Sequence, residues 1–307
     1  MERAARLTAI VPATKAPETL ERVRAAIEAA AAPPEEILVV DGPYEAGPAE
    51  ARNAGAQRAS GDVLVFVDAD VIVHRDAFVR IRDAFGSDPG LGGVFGSYDD
   101  EPAEGDTVSA FRNLLHHHVH QSSPGPAKTF WAGLGAIRRD VFLEMGGFDD
   151  AYGVPSIEDV ELGLRVTDAG HRIELAPAIQ GTHLKGWTLP GMVRGDVLHR
   201  AVPWLALLLK HGRLPTSLNL GWRHRVSALA SVGVAGGVAA RRARVLVPSL
   251  ALLVALNHTF YELLWKKLGP QKAALGVGLH VMHHLSAVAA SPLALWVYLR
   301  GRRRAES

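Results

Sequence analysis

The stretch "GDVLVFVDADVIV", residues 61–73, is an apolar run that ends in two carboxylates one residue apart. Val63, Leu64, Val65, Phe66 and Val67 have the composition of a strand buried on both faces, as in a parallel sheet covered by helices. A charge inside such a strand is costly, so Asp68 and Asp70 fit only at its C-terminal end, where the chain meets water, a ligand or a cation. The same pattern repeats outward from this strand. Further strands are expected at 7–13 (LTAIVPA), 36–42 (EILVVDG) and 91–98 (LGGVFGSY), with helices at 18–32, 48–60 and 75–86. Strands alternating with helices of this length predict an α/β fold with a doubly wound, mostly parallel, Rossmann-like sheet. Pro12, Asp41 and Asp68 each stand at the end of one strand, so three strand ends converge on the edge where such sheets bind ligands.

With 307 residues the chain has length for one large domain or two ordinary ones. Charged and apolar residues mix evenly up to about residue 225, and long apolar runs follow. The net charge is only +1, so the basic excess is local: RHR at 223–225, RRAR at 241–244 and RGRRR at 300–304. Basic clusters beside apolar runs point to a membrane surface and away from nucleic acid. The absence of cysteine excludes disulfides and thiol chemistry. The start, MERAARLTAIVPA, lacks a signal-peptide pattern, which places the N-terminal half in the cytosol. Residues 226–240 are short for a span, whereas 245–265 and 273–299 are long enough to cross about 30 Å of hydrocarbon. Asn257, His258, Glu262 and three histidines interrupt these runs, as in a buried helical subdomain, the alternative reading. The expectation is an integral cell-membrane protein with two spans, its basic tail and catalytic half cytosolic. The organisation read is 1–205 catalytic, 206–225 linker or interfacial segment, and 226–307 helical membrane region.

A D-x-D pair in a strand-to-loop turn suits a hard divalent cation bound through oxygen, with a diphosphate completing its shell. The same pair can merely cap a turn. In LLHHHVHQ, 114–121, only His116 and His120 share a helix face, and no third zinc ligand stands nearby, so a polar helix face is the better reading. GGVFG, 92–96, lacks dinucleotide-fingerprint spacing and fits close backbone approach.

The run ARNAGAQRASGDVLVFVDAD (51–70) follows TAIVPA and ILVVDG. After it come FWAGLGAIRRDVFLEMGGFDDAY (130–152), EDVELGLRVTDAG (158–170) and THLKGWT (182–188). This ordered series, over about residues 7–205, resembles the family 2 glycosyltransferases, which have the GT-A fold. The resemblance implies that Pro12, Ala13, Thr14 and Asp41 border the nucleotide base and ribose, with Arg52 near the nucleotide. Asp68 and Ala69 would meet the ribose and diphosphate. Asp70, with Asp68 and His183, would hold Mg²⁺ or Mn²⁺. Asp159 would be the general base and Glu158 would orient the acceptor or a nearby backbone group. Trp131 and Gly133 would form an acceptor wall, where an ordinary core aromatic is the competing reading of Trp131. Lys185, Trp187, Arg194 and Arg200 would serve a diphosphate or an anionic lipid head group. The family often has two adjacent aspartates after its second strand, where this chain has DGPYEAGP.

Ser156 with Asp159 also has the spacing of a capping box, and a helix N-terminus would keep the pKa of Asp159 low. The Gln-x-x-Arg-Trp motif of processive synthases is absent, so the resemblance implies transfer of one sugar, with inversion. The donor would be UDP-, GDP- or dTDP-linked and the acceptor lipid-linked or membrane-associated. Two other readings remain: a nucleotidyltransferase, and a noncatalytic nucleotide-sugar-binding membrane protein.

Overall fold

The computed structural model describes residues 5–13, 18–42, 47–152, 155–212 and 221–305. The described residues divide into two compact units, one from 1–103 and 120–185, the other from 104–119 and 186–307.

The first unit is built on one sheet. Its strands are β1 (Leu7–Pro12), β2 (Glu36–Val40), β3 (Val63–Val67), β4 (Val71–Val73), β5 (Leu91–Tyr98), β6 (Gly125–Ala127), β7 (Leu134–Arg138) and β8 (Arg172–His183). Their order is β2-β1-β3-β7-β5-β8-β4, with β6 paired to β8. β1 lies parallel to both β2 and β3, and β5 lies parallel to β8. β7 runs antiparallel between β3 and β5, so those five strands share one direction. The helices are α1 (Leu20–Glu28), α2 (Pro48–Arg58), α3 (Ala77–Ser87), α5 (Arg139–Glu144) and α6 (Glu158–Asp168), with the last two residues of α4 (Thr107–Gln121). The expected α/β, mostly parallel sheet is thus present. All five residues of β3 are buried, and Val63, Val65 and Val67 pack with β1, α1 and α3 in one core.

Three differences from the sequence reading have local causes. α1 stops at Glu28 rather than running to residue 32. Ala32, at φ 50°, immediately precedes Pro33, and a residue before proline is pushed out of the α region. The run VFVDADVIV is two strands: the Val71 amide donates to the Asp68 carbonyl (3.0 Å), turning the chain from β3 to β4 on the far edge. The D-x-D is therefore a corner. β8 runs unbroken to His183, whereas the sequence suggests a strand IELAPA, 173–178, followed by a short turn. Its last residues are held by β4, with Val71 paired to His183. GGVFG does permit close approach, since a Cβ on Gly96 would lie 2.1 Å from the Ile179 carbonyl oxygen.

The second unit is helical: most of α4, then α7 (Leu189–Arg194), a π-helical turn Gly195–Ala201, α8 (Val202–His211), α9 (Trp222–Ala239), α10 (Ala243–Leu256) and α11 (His258–Ala305). Phe111, Leu114, Met192, Phe260, Leu264 and Leu279 form its core. Asp196, on the π-helical turn, is buried with Arg112 (2.7 Å) and His283 (2.8 Å). α9 and α10 form a hairpin in which the Leu246 amide nitrogen lies 2.6 Å from where a Cβ of Gly237 would be. Leu229, Val232, Val247, Leu250 and Leu252 are exposed on it.

The expected span 245–265 is not one helix. Asn257 leaves helical geometry (φ −121°, ψ 23°) and its amide donates to the Ser227 hydroxyl (2.9 Å). α10 alone has 14 residues, about 21 Å at 1.5 Å per residue, short of the roughly 30 Å hydrocarbon core. Among the described residues one helix, His258–Arg300, has the length and composition to cross a membrane. It contains a break at Gly269 (φ 77°, ψ 171°), immediately before Pro270.

Candidate active site

The C-terminal ends of β2, β1 and β3 lie side by side, and the Ala13 amide donates to the Val40 carbonyl (2.9 Å). Pro12, Ala13 and Asp68 therefore stand on one edge, with Asp41, exposed, just past β2. Thr14 lies outside the described residues. The D-x-D corner is braced by backbone contacts. The Asp68 amide donates to the Gly133 carbonyl (3.0 Å), the Leu184 amide to the Asp70 carbonyl (2.8 Å), and the Thr19 hydroxyl to the Ala69 carbonyl (2.5 Å).

Arg52 organises the carboxylates. It is 5% exposed on α2, with Nη2 on Asp68 Oδ1 at 2.7 Å and Nη1 on Glu158 Oε1 at 2.9 Å. Burial alone would lower its pKa, but the charges of Asp68, Glu158 and Asp159 raise it, so it stays a cation. Burial raises the Asp68 carboxyl, Arg52 opposes that, and the neighbouring Asp70 adds to it, leaving a net upward shift. The sequence reading set Arg52 beside the nucleotide; the structure shows a bridge between two carboxylates 90 residues apart in sequence.

Asp70 and His183 face each other, Oδ2 to Nε2, at 3.7 Å. Burial pushes Asp70 up, but the facing His183 imidazole and the Lys185 charge outweigh it and leave the carboxyl lowered. Two ligands each about 2.1 Å from one ion lie within about 4 Å of each other, so this pair fits one divalent cation. Among the described residues no three His, Cys, Asp or Glu side chains converge to hold a metal by themselves. The remaining ligands would have to come from a substrate or water.

Asp159 and Glu158 open α6. The capping-box expectation is not met: the N-cap is Ile157, with no side-chain cap. The Ser156 amide instead donates to Glu158 Oε2 (2.9 Å), turning Glu158, 4% exposed, toward Arg52. Asp159 accepts from the Ala132 amide through Oδ2 (3.1 Å) and from the Val160 amide through Oδ1 (2.8 Å). Its pKa is not kept low. Burial raises it first and the Glu158 charge second, to about 7, against the weaker pull of the two amides and Arg52. α6 lies directly on the 129–130 backbone, where a Cβ on Gly163 would be 2.2 Å from the Phe130 amide nitrogen.

Trp131 is half-buried, with its ring against Gly133, where a Cβ would meet it at 2.4 Å. The ring packs edge-on to Tyr98 (4.9 Å, 89°) and to His120 (5.4 Å, 88°). Tyr98 stacks flat on His183, with centroids 4.2 Å apart and planes 8° apart. Tyr98 was missed in the sequence, although it ends β5, a fourth strand pointing the same way, and the strand-end rule applied there would have found it. Trp187 and Arg200 belong to the second unit. Trp187 lies over the Arg112 guanidinium (5.1 Å) with its amide donating to Ser109 Oγ (2.7 Å), and Arg200 lies 4.0 Å from Asp196. His120 Nδ1 is bound to the Gly96 carbonyl oxygen (2.8 Å).

Residues 21–146 match the family model described as Glycosyl transferase family 2. It is this segment that carries the family likeness. The domain match ends before Glu158, Asp159 and His183. Among curated proteins, N-acetylgalactosaminyltransferase 7 of Drosophila melanogaster is 26% identical over 180 residues, covering 50% of this chain and 30% of its own length. N-acetylgalactosaminyltransferase 6 of the same organism is 25% identical over 195 residues, covering 53% and 28%. The chain thus spans under a third of the length of these relatives. Among solved structures, mannosyltransferase PcManGT from Pyrobaculum calidifontis, in complex with GDP-Man and Mn²⁺, aligns over 94% of this chain and 88% of its own. The TM-score is 0.61 and the identity 17%. The fold is of the GT-A type.

Proposed function

We propose that the protein is an inverting, metal-dependent glycosyltransferase that moves one sugar from a nucleoside diphosphate sugar to a hydroxyl of a membrane-associated or lipid-linked acceptor. The observation that carries this is Asp159, a carboxyl anchored on two backbone amides with its pKa raised to about 7, in the same unit as the facing pair Asp70 and His183. A base poised near neutrality accepts a proton best.

In the proposed reaction the acceptor oxygen attacks the anomeric carbon while Asp159 takes the hydroxyl proton. The bond from that carbon to the diphosphate oxygen breaks, its electron pair leaves with the nucleoside diphosphate, and attack from the opposite face inverts the centre. Glu158, held by Arg52 and the Ser156 amide, fixes the start of α6 and keeps Asp159 protonatable. Pro12, Ala13, Asp41, Asp68 and Ala69 line the nucleotide side, and Trp131 and Gly133 the acceptor side. Asp70 and His183 would hold Mg²⁺ or Mn²⁺, which supplies charge neutralisation for the diphosphate. The cation-binding relative, solved with GDP-Man and Mn²⁺, supports this reading. Lys185, whose charge acts on Asp70, would meet the same diphosphate.

The membrane part of the proposal rests on the apolar surface of the α9–α10 hairpin and on the long helix His258–Arg300. The organisation proposed is 1–205 catalytic, 206–225 linking, and 226–307 in or on the cell membrane, with the catalytic part cytosolic. The test is release of nucleoside diphosphate from UDP-, GDP- and dTDP-sugars by detergent-solubilised protein with Mn²⁺ and a membrane lipid extract. Turnover of one donor that needs metal and is lost in Asp70→Ala and Asp159→Asn supports the proposal. Turnover that survives Asp159→Asn refutes the assignment of the base.

A further inference from the structure

The flat stack of Tyr98 on His183 differs from the edge-on contacts of Tyr98 with Trp131 and of Trp131 with His120. Its geometry restricts His183 in a specific way. An imidazole whose plane lies 8° from a ring 4.2 Å away cannot turn about its Cβ–Cγ bond without driving an edge into that ring. The plane that the stack enforces is the one in which Nε2 faces Asp70 Oδ2 at 3.7 Å.

Tyr98 is itself held. Trp131 meets it edge-on, His120 meets Trp131 edge-on, and His120 is tethered to the Gly96 carbonyl oxygen (2.8 Å), two residues before Tyr98 on β5. The four rings thus form a series that begins at the Asp70–His183 pair and closes back on the strand carrying Tyr98. The series also reaches the base side of the site, because the residue after Trp131, Ala132, gives its amide to Asp159 (3.1 Å).

We infer that Tyr98 is a positioning residue that locks the His183 imidazole for cation binding, and that it acts through its ring face rather than its hydroxyl. The inference rests on the proposed cation site and adds a residue that the family 2 resemblance did not supply. Outer partners that orient a metal-binding histidine typically contribute about 10–100-fold in metal affinity. A contact through ring faces belongs at the lower end, about tenfold.

The test titrates Mn²⁺ alone into the detergent-solubilised full chain, following the free-ion signal by electron paramagnetic resonance, for the wild type, Tyr98→Phe, Tyr98→Leu and His183→Ala. Tyr98→Phe keeps the ring face and is expected to bind Mn²⁺ within about twofold of wild type. Tyr98→Leu is expected to bind about tenfold more weakly, and its turnover to recover as Mn²⁺ is raised. A loss of fold would show no such recovery. Weak binding in His183→Ala with wild-type binding in Tyr98→Leu overturns the role of Tyr98 and leaves the cation site standing. Weak binding in Tyr98→Phe equal to that in Tyr98→Leu overturns the ring-face argument. Wild-type binding in His183→Ala and Tyr98→Leu alike overturns the cation site, and the role of Tyr98 with it.

Discussion

Replacing Glu158 by glutamine separates the two causes that set the protonation of Asp159. Burial raises this carboxyl and the adjacent Glu158 charge raises it further, from the ordinary 3.8 to about 7. A displacement of about three pH units corresponds to about 4 kcal/mol at 1.36 kcal/mol per unit. The ionised form is the base, so the sign is determined. Wild-type kcat/KM should fall about tenfold per unit as pH drops below 7, with a first-order acid limb. A base at the ordinary carboxylate pKa would keep nearly full rate down to about pH 5. Glu158→Gln removes the like charge and leaves the Arg52 cation beside Asp159. Both changes favour the carboxylate, so the acid limb should move down by about one unit, the lower end of the effect of a close charge. The glutamine oxygen can still accept from Arg52 Nη1, now 2.9 Å from Glu158 Oε1, so the guanidinium keeps an acceptor. The assay is initial rate of nucleoside diphosphate release from pH 5 to 9 at subsaturating acceptor, with unfolding followed in parallel. A wild-type limb near pH 4, or a limb that Glu158→Gln leaves in place, would refute the assignment of Asp159 as a base tuned by burial and its neighbour.

Three further outcomes follow from the packing. Arg52→Met leaves Asp68 and Glu158 without their shared cation and should destabilise the first unit by about 3–5 kcal/mol in denaturant titration. Arg52→Lys, a point charge without a planar fork, should recover only part of that loss. Gly163→Ala drives a methyl to 2.2 Å from the Phe130 amide and should cost about 1–3 kcal/mol by the same titration. Asp196→Asn withdraws the charge that Arg112 and His283 share and should lower the unfolding temperature of the helical unit, read by loss of far-ultraviolet ellipticity.

Much of the sheet was legible in advance because its central strands are apolar on both faces and their helices have the regular length of a doubly wound fold. β5 matches its expected bounds, and β1 and β3 lie at their expected places. What escaped was set by pairing at a distance. β4 is three residues long and exists because the end of β8 offers it a partner. The antiparallel insertion of β7 between β3 and β5 leaves no mark in a local pattern. In the second unit, length and hydropathy suggested a span through 245–265, but the side chain of Asn257 finds Ser227 and ends the helix there.

The site shows the same division. Asp70 and His183 were singled out as one site and do face each other. The pKa of Asp159 was misjudged because a helix N-terminus was weighed without the burial and the Glu158 charge that outweigh it. Arg52 was recognised but its carboxylate partner was not, since nothing within α2 announces that this partner stands at residue 158.

That last pair has a bearing on how such chains can diversify. Arg52 sits in the segment that matches the family, and Glu158 sits beyond its end at residue 146. The segment that matches the family and the segment beyond it are natural units to exchange between relatives, but this guanidinium is buried across the seam. A chimera joined near residue 146 would inherit an arginine whose counterion depends on the incoming half. Exchange should succeed only among sequences that bring a carboxylate to the position of Glu158, so one buried contact filters which segments can be combined.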